Sequence, residues 1–379
     1  SRTRLKPSRR PEPVSTNSEP MPADSLHDYL SQQGAQFCDV AGEQVAQNYG
    51  DTNAEHRALI ESVALVDLSF RGCLAVLGDD RVKFINGQVT NEVAGLKPGE
   101  GCYAALVNAK AKMQADLHVY RLADEFILDF EPGLLGTVTE RLESHIVADR
   151  VELIDASPHF GLLSLQGPKT ANSLAALGLA LPGKPFAHTK TTLEDLDEVY
   201  LMNNDRYGTA GCDLYIPTAS LAKAAERLAK AVAEQGGRLA GWQATEVARV
   251  EAGIPRFGID MGNNTLPPEA GLDTRAISYT KGCYIGQEII ARIRTYGRVN
   301  RTLVGYRPDA NLAKTATTGT KLTDDSGKTL GTLTSIVNSP KFGPIALGMA
   351  KRGSEIPGRQ LTALEPATGQ ATVTKLPFC

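Results

Sequence analysis

Residues 73–89 read CLAVLGDDRVKFINGQV: a strand-like run stops at Gly78, after which Val82, Ile85 and Val89 recur at helical spacing. Residues 160–177, FGLLSLQGPKTANSLAAL, repeat that order as a strand, a turn at Gly167 and Pro168, and a helix. Between them, GCYAALVNAKAKMQADLHVYRL and EFILDFEP are alternating or β-rich runs separated by turns, the pattern of an antiparallel meander. A strand–glycine–helix unit that occurs twice predicts an α+β fold built from two ferredoxin-like subdomains. Asp79 or Asp80 is expected to cap the first helix, because a carboxylate accepts the free N–H groups of a first turn. Pro168 suits the first position of the second helix.

The remaining segments fit around this pair. Residues 26–70 read as a helical lead-in and a strand-like ALVDLSFRG. In CDLYIPTASLAKAAERLAKAVAEQGG a strand ends at Pro217, and Leu221, Ala225, Leu228 and Val232 then form one apolar stripe of a helix that Gly236 closes. WQATEVARVEAGIPRFG reads as a further helix, closed by Gly253 and Pro255. After residue 300, short β-rich runs separated by Gly, Pro, Asp and Asn predict a small β-barrel domain, 301–379, following an α+β module of 25–300. Residues 1–24 are rich in Pro, Ser and Arg and almost free of apolar residues. They are expected to be a disordered tail, since they bury too little surface to offset their ordering entropy.

A formal charge of −3 over 379 residues gives no sign of a polyanion partner, so no nucleic acid is expected. No run of apolar residues is long enough to span a bilayer, so no membrane association is expected either. The six cysteines (Cys38, Cys73, Cys102, Cys212, Cys283 and Cys379) stand singly, which argues for a reducing, cytoplasmic setting. The six histidines have no HExxH or HxxxH spacing, so no metal site is expected.

KGCYIGQEIIARIR, 281–294, carries the most chemistry. If a helix starts near Gln287, Cys283 lies just before its N-terminus, where the dipole and free amides favour a thiolate. Lys281 would add a cation, while Glu288 opposes it. The bland reading is a buried small hydrophobe in a glycine turn. Arg292, Arg294, Arg298 and Arg301 read either as an anion patch or as a solvated helix face.

The octapeptide KGCYIGQE resembles the signature of the YgfZ family, K-G-C-Y-x-G-Q-E. These are folate-binding proteins linked to iron–sulfur protein maturation and are paralogues of the glycine-cleavage aminomethyltransferases. FINGQVTNEV, NAKAKMQADLHVYRL, LQGPKT and RVEAGIPRFGID are similar, in the same order, to other stretches of that family. The resemblance spans about residues 60–350 and implies two α+β subdomains and a C-terminal barrel arranged as a ring, with folate in the central hole. It implies tetrahydrofolate or a one-carbon derivative as cofactor, and iron–sulfur proteins or cluster-assembly factors as partners. It implies Cys283, Lys281 and Asp116 as the reactive groups, and Tyr103, Asn108, Asp213, Arg249 and Glu251 at the folate.

This chain departs from the aminomethyltransferase branch at several positions. Ala115-Asp116 stands where that branch has Asp-Asp. A single Asp could still hydrogen-bond a folate nitrogen or move a proton, or it could be an ordinary strand residue. GTAGCDLY loses two acidic residues at Thr209 and Ala210 and keeps Asp213, whose carboxylate suits the paired N–H donors of a pterin. Thr245 stands where a folate contact is expected. Trp242 could stack on a pterin or pack in the core, and Arg249 with Glu251 could be a buried structural pair or line the folate hole. The branch has Asp where Cys283 stands. The leading reading is a reduced-folate-binding protein that supports assembly or repair of iron–sulfur enzymes through Cys283. The alternatives are a folate-dependent aminomethyltransferase and a non-enzymatic scaffold.

Overall fold

The computed structural model describes residues 25–193, 196, 198–297 and 299–378. The expected tail at 1–24, Arg298 and Cys379 lie outside them. The strand–glycine–helix unit is present twice. Gly72–Leu77 runs through Gly78 into the helix Arg81–Gln88, and Phe160–Gln166 runs through Gly167 into Thr170–Ala176. Both glycines are required: Gly78 has φ +102° and Gly167 φ +136°, and a Cβ would come within 2.0 Å of Arg150 O or 2.5 Å of Ser62 O. Asp80 occupies the N-cap position without capping, because its carboxylate accepts the Arg150 N–H at 2.8 Å instead. Pro168 precedes the N-cap Lys169 and so lies outside the helix.

Each unit lies in its own sheet, antiparallel throughout except where Arg238–Leu239 pairs parallel with Ala64–Asp67 in the second. The first has the order Glu100–Val107, Met113–Arg121, Phe126–Phe130, Gly72–Leu77, Glu152–Asp155. Its last four strands have the ferredoxin-like order, and the preceding strand extends the meander. The second sheet has the order His188–Thr192, Glu198–Asn203, Gly211–Pro217, Phe160–Gln166, Ala64–Asp67, Arg238–Leu239. Here the closing strand, Ala64–Asp67, arrives from the N-terminal side of the chain. Residues 68–71 therefore cross from one sheet to the other, which places Leu68 and Arg71 between the two halves. The lead-in is more elaborate than a helix: Leu26–Gln32 is followed by a hairpin, Gln36–Val40 and Glu43–Asn48, and a second helix, Thr52–Glu61.

The sheets pack on each other through Cys73, Ala75, Tyr120 and Ile127 from the first and Leu162, Met202 and Tyr215 from the second. The helix Leu221–Glu234 buries Leu221, Ala224, Ala225, Leu228, Ala231 and Val232 against the second sheet, as its apolar stripe predicts. The helix Trp242–Glu251 ends at Gly253, φ +69°, and leads to a six-stranded closed barrel of Arg301–Pro308, Gly343–Lys351, Thr329–Ser339, Lys321–Thr323, Gln360–Ala363 and Gln370–Thr374. Polar side chains fasten barrel to module. Arg249 Nη2 donates to Ser335 Oγ at 2.7 Å, and Ser339 Oγ donates to Glu251 Oε1 at 2.5 Å.

Candidate functional site

The crossover at 68–71 leaves a narrow cleft between the halves. Tyr103, Asp116 and His118 from the first sheet, with Glu131 just after its strand Phe126–Phe130, line one wall. Asp205, Arg206 and Tyr207, from the loop before Gly211–Pro217, face them together with Arg256. A shallower opening lined by Tyr103, Phe186, Asp205, Ile254 and Arg275 continues it. Strand alternation places Asp116 and His118 on one face of Met113–Arg121. Sheet register then pairs Tyr103 with His118 and His118 with Asp129.

Asp116 has one carboxylate oxygen unfilled in this cleft. Tyr103 Oη donates to its Oδ2 at 2.7 Å, while Oδ1 is buried with no partner. Burial, with the Glu131 carboxylate beside it, lifts the Asp116 pKa to about 6, against the Tyr103 hydrogen bond that lowers it. Glu131 goes the other way. Despite burial it is drawn down to about 2 by Arg71 and Arg256, which it meets at 2.5 and 3.1 Å. Two carboxyls whose acidities are driven apart form a candidate acid–base pair. An unpaired oxygen at the Asp116 carboxylate, beside aromatic rings, suits a planar ligand carrying N–H donors.

Asp213 is in a different situation. It is wholly buried, and its carboxylate accepts from Ser164 Oγ at 2.7 Å, Asn204 Nδ2 at 2.8 Å and Arg206 Nε at 2.9 and 3.0 Å. Its oxygens are filled from within the protein, which leaves no place for the pterin donors that the sequence reading gave it. Arg206 also reaches Asp129 at 2.6 Å, and Asp129 meets Arg71 at 2.6 Å. Despite burial, Arg206 and Arg71 hold the Asp129 carboxyl well below the usual range.

Of the other residues expected at the folate, Arg249 also lines the cleft, and polar groups of each are engaged within the protein. Asn108 Oδ1 accepts the Lys110 and Lys112 N–H groups at 2.9 and 3.1 Å and so closes the turn between two strands. Arg249 is spent on Glu246, Asp260 and Ser335, at 2.6, 2.5 and 2.7 Å. Glu251 meets His56 at 2.9 Å as well as Ser339. Thr245 is buried, and its hydroxyl donates to Trp242 O. Trp242 lies under the Arg256 guanidinium, 3.9 Å from the ring centroid, so its face serves a cleft arginine.

The octapeptide stands apart from the cleft. Lys281 Nζ donates to Asn86 O, Val89 O and Asn91 O at 2.6, 2.9 and 2.6 Å, which uses all three of its protons. Burial pushes its pKa down to about 8. It therefore latches the loop to the end of the helix Arg81–Gln88. Gly286, φ +81°, is the N-cap of Gln287–Tyr296, and a Cβ there would lie 2.8 Å from Asn108 O. Cys283 is exposed before that helix and is not among the cleft-lining residues. The described arginines after it are dispersed: Arg292 pairs with Glu288, Arg294 stacks on Tyr279 and Arg301 pairs with Glu269.

The GCVT N-terminal domain family matches residues 26–281, more than half of the chain. The chain belongs to that family. A putative chloroplastic transferase of Arabidopsis thaliana is 28% identical over 362 residues, spanning 95% of this chain and 81% of that protein. Aminomethyltransferases of Saccharopolyspora erythraea and Thermotoga neapolitana are 27% and 28% identical and cover 93% and 91% of the chain. The solved glycine cleavage system aminomethyltransferase T from Bartonella henselae superposes with a TM-score of 0.83 at 26% identity, over 93% of this chain and 97% of that one. The family fold, with its closed C-terminal barrel, is therefore that of this chain. Among the described residues no helix is long and apolar enough to cross a membrane.

His118, Glu131, Arg71 and Arg206 line the cleft and were passed over by sequence reasoning. Only His118 had a local signal: ADLH within an alternating strand puts it on the Asp116 face. The others arrive from distant loops and strands.

Proposed function

We propose that this chain binds a reduced folate in the cleft between its two sheets and, as the octapeptide suggests, supports assembly or repair of iron–sulfur enzymes, with Cys283 as a surface thiol. The observation that carries the folate reading is the buried, unpartnered Asp116 Oδ1, an acceptor awaiting a ligand N–H. A pterin supplies such donors on a flat ring, and Tyr103, His118 and Phe186 border the cleft with flat surfaces. Tetrahydrofolate brings nucleophilic ring amines able to carry a one-carbon unit. Asp116 holds or moves a proton at Oδ1, Tyr103 steadies Oδ2, and Arg71 with Arg256 keeps Glu131 ionised. The YgfZ-type role rests on KGCYIGQE, with Lys281 latching the loop so that Cys283 stays at the surface.

The aminomethyltransferase reading is favoured by the named relatives and by retention of Asp116. The two part at Cys283. Anaerobic calorimetry with tetrahydrofolate tests the shared step, and saturation at one site per chain is expected. No heat of binding would remove both. Activity of cluster-dependent enzymes in cells carrying only the Cys283→Ala chain then separates them: loss fits the first reading, and full activity the second.

A further inference from the structure

We propose that His118, oriented by Asp129, is a second proton-transfer group of the cleft, working opposite the folate amines with Asp116 as its neighbour. The inference rests on the folate reading and extends it to a residue outside the octapeptide and the Asp116 motif.

Four observations place it. Register sets Tyr103, His118 and Asp129 side by side on three adjacent strands. His118 Nδ1 lies 2.8 Å from Asp129 Oδ2, and because that carboxylate is ionised, Nδ1 carries the hydrogen and donates it. Arg206 Nη1, 3.4 Å from the same nitrogen, is too far to compete well for its lone pair and makes its short contact to Asp129 instead. The ring is held between Tyr103 and Phe186, at centroid distances of 5.3 and 5.7 Å, with its side chain 15% exposed into the cleft.

With Nδ1–H committed to Asp129, Nε2 of the neutral ring is a lone-pair acceptor, and no hydrogen bond reaches it among the described residues. Burial and the Arg206 charge lower the His118 pKa, which keeps the ring neutral near pH 7. With an aminomethyl donor, a folate ring amine would bond to the methylene carbon as that carbon's C–N bond breaks and the amine departs with the bonding pair. Nε2 would accept the proton given up at the ring amine, and the imidazolium would be held against the Asp129 carboxylate until the proton passes to the departing amine or to solvent. A base oriented by a third group is the general arrangement for such a transfer.

The test uses the wild-type chain and diethylpyrocarbonate, with peptide mapping of each histidine, in the presence and absence of 5-formyltetrahydrofolate. Calorimetry on the same sample reports ligand occupancy. His118 is expected to be carbethoxylated in the free protein. With ligand at about ten times its Kd, modification should slow about tenfold. No reaction in the free protein would overturn the inference, because Nε2 would then be closed. Unchanged labelling at calorimetric saturation would overturn it while leaving the folate reading intact. Absence of calorimetric binding would remove the folate reading and, with it, the role assigned to His118. The variant His118→Asn keeps a donor to Asp129 and lacks Nε2. It should lose the pH-dependent proton release on turnover, whereas a purely structural histidine would leave that release unchanged.

Discussion

The Tyr103 hydroxyl donates to one oxygen of Asp116 at 2.7 Å and leaves the other oxygen of the same carboxylate buried without a partner. A buried acceptor left open is a cost to folding unless something fills it. The same pair therefore connects stability and ligand binding.

The Asp116→Asn variant should be more stable than wild type at pH 7. The folded-state pKa, raised to about 6, exceeds the ordinary value of 3.8, so the folded protein disfavours the ionised form that the unfolded chain adopts. Ionisation costs stability as pH rises through this window, by roughly 2–3 kcal/mol at pH 7. Chemical denaturation should show the variant ahead at pH 7, with the gap closing below about pH 4 as Asp116 is protonated in both states. Folate binding by the variant should weaken.

Tyr103→Phe removes the hydrogen bond that lowers the Asp116 pKa. If the ionised carboxylate receives the ligand N–H, folate affinity should be lost as pH falls through the folded pKa. The midpoint of that loss should move to higher pH in the variant, as titration calorimetry at a series of pH values will show.

Arg206 neutralises Asp129 and Asp213 inside the protein, at 2.6 and 2.7 Å. Arg206→Met leaves two buried carboxylates short of a partner and should cost about 3–5 kcal/mol in urea unfolding. Glu288→Ala, which breaks the exposed Arg292 pair, should cost no more than about 0.5 kcal/mol.

Cys283 should be the fastest of the described thiols to react with iodoacetamide, and saturating folate should not slow it, since it lies outside the cleft. Cys73, Cys102 and Cys212 should lag, because burial first of all pushes their pKa values up. Peptide mapping after brief labelling distinguishes them. Lys281→Met should loosen the loop by freeing three carbonyls, seen as faster amide exchange over 278–286.

Local pattern was enough to read the two strand–glycine–helix units, the apolar stripe of Leu221–Glu234 and the β-rich tail, because each depends on periodicity within about one element's length. Gly78 and Gly167 were legible for the same reason, although the backbone each must clear belongs to a distant segment. The swap that closes the second sheet with Ala64–Asp67 was not legible, because strand order is a long-range choice that leaves no trace in the strand itself.

The candidate site divides along the same line. Its sequence fixes that Asp116 and His118 share a face, since side chains alternate along a strand. Tertiary structure alone decides that Asp213 is neutralised by Arg206, that Lys281 is spent on three carbonyls, and that Cys283 and the cleft are separate places. Charge pairing inside a protein is settled by which side chains meet once the sheets have packed, and residues as far apart as Arg71, Asp129 and Arg206 meet only then.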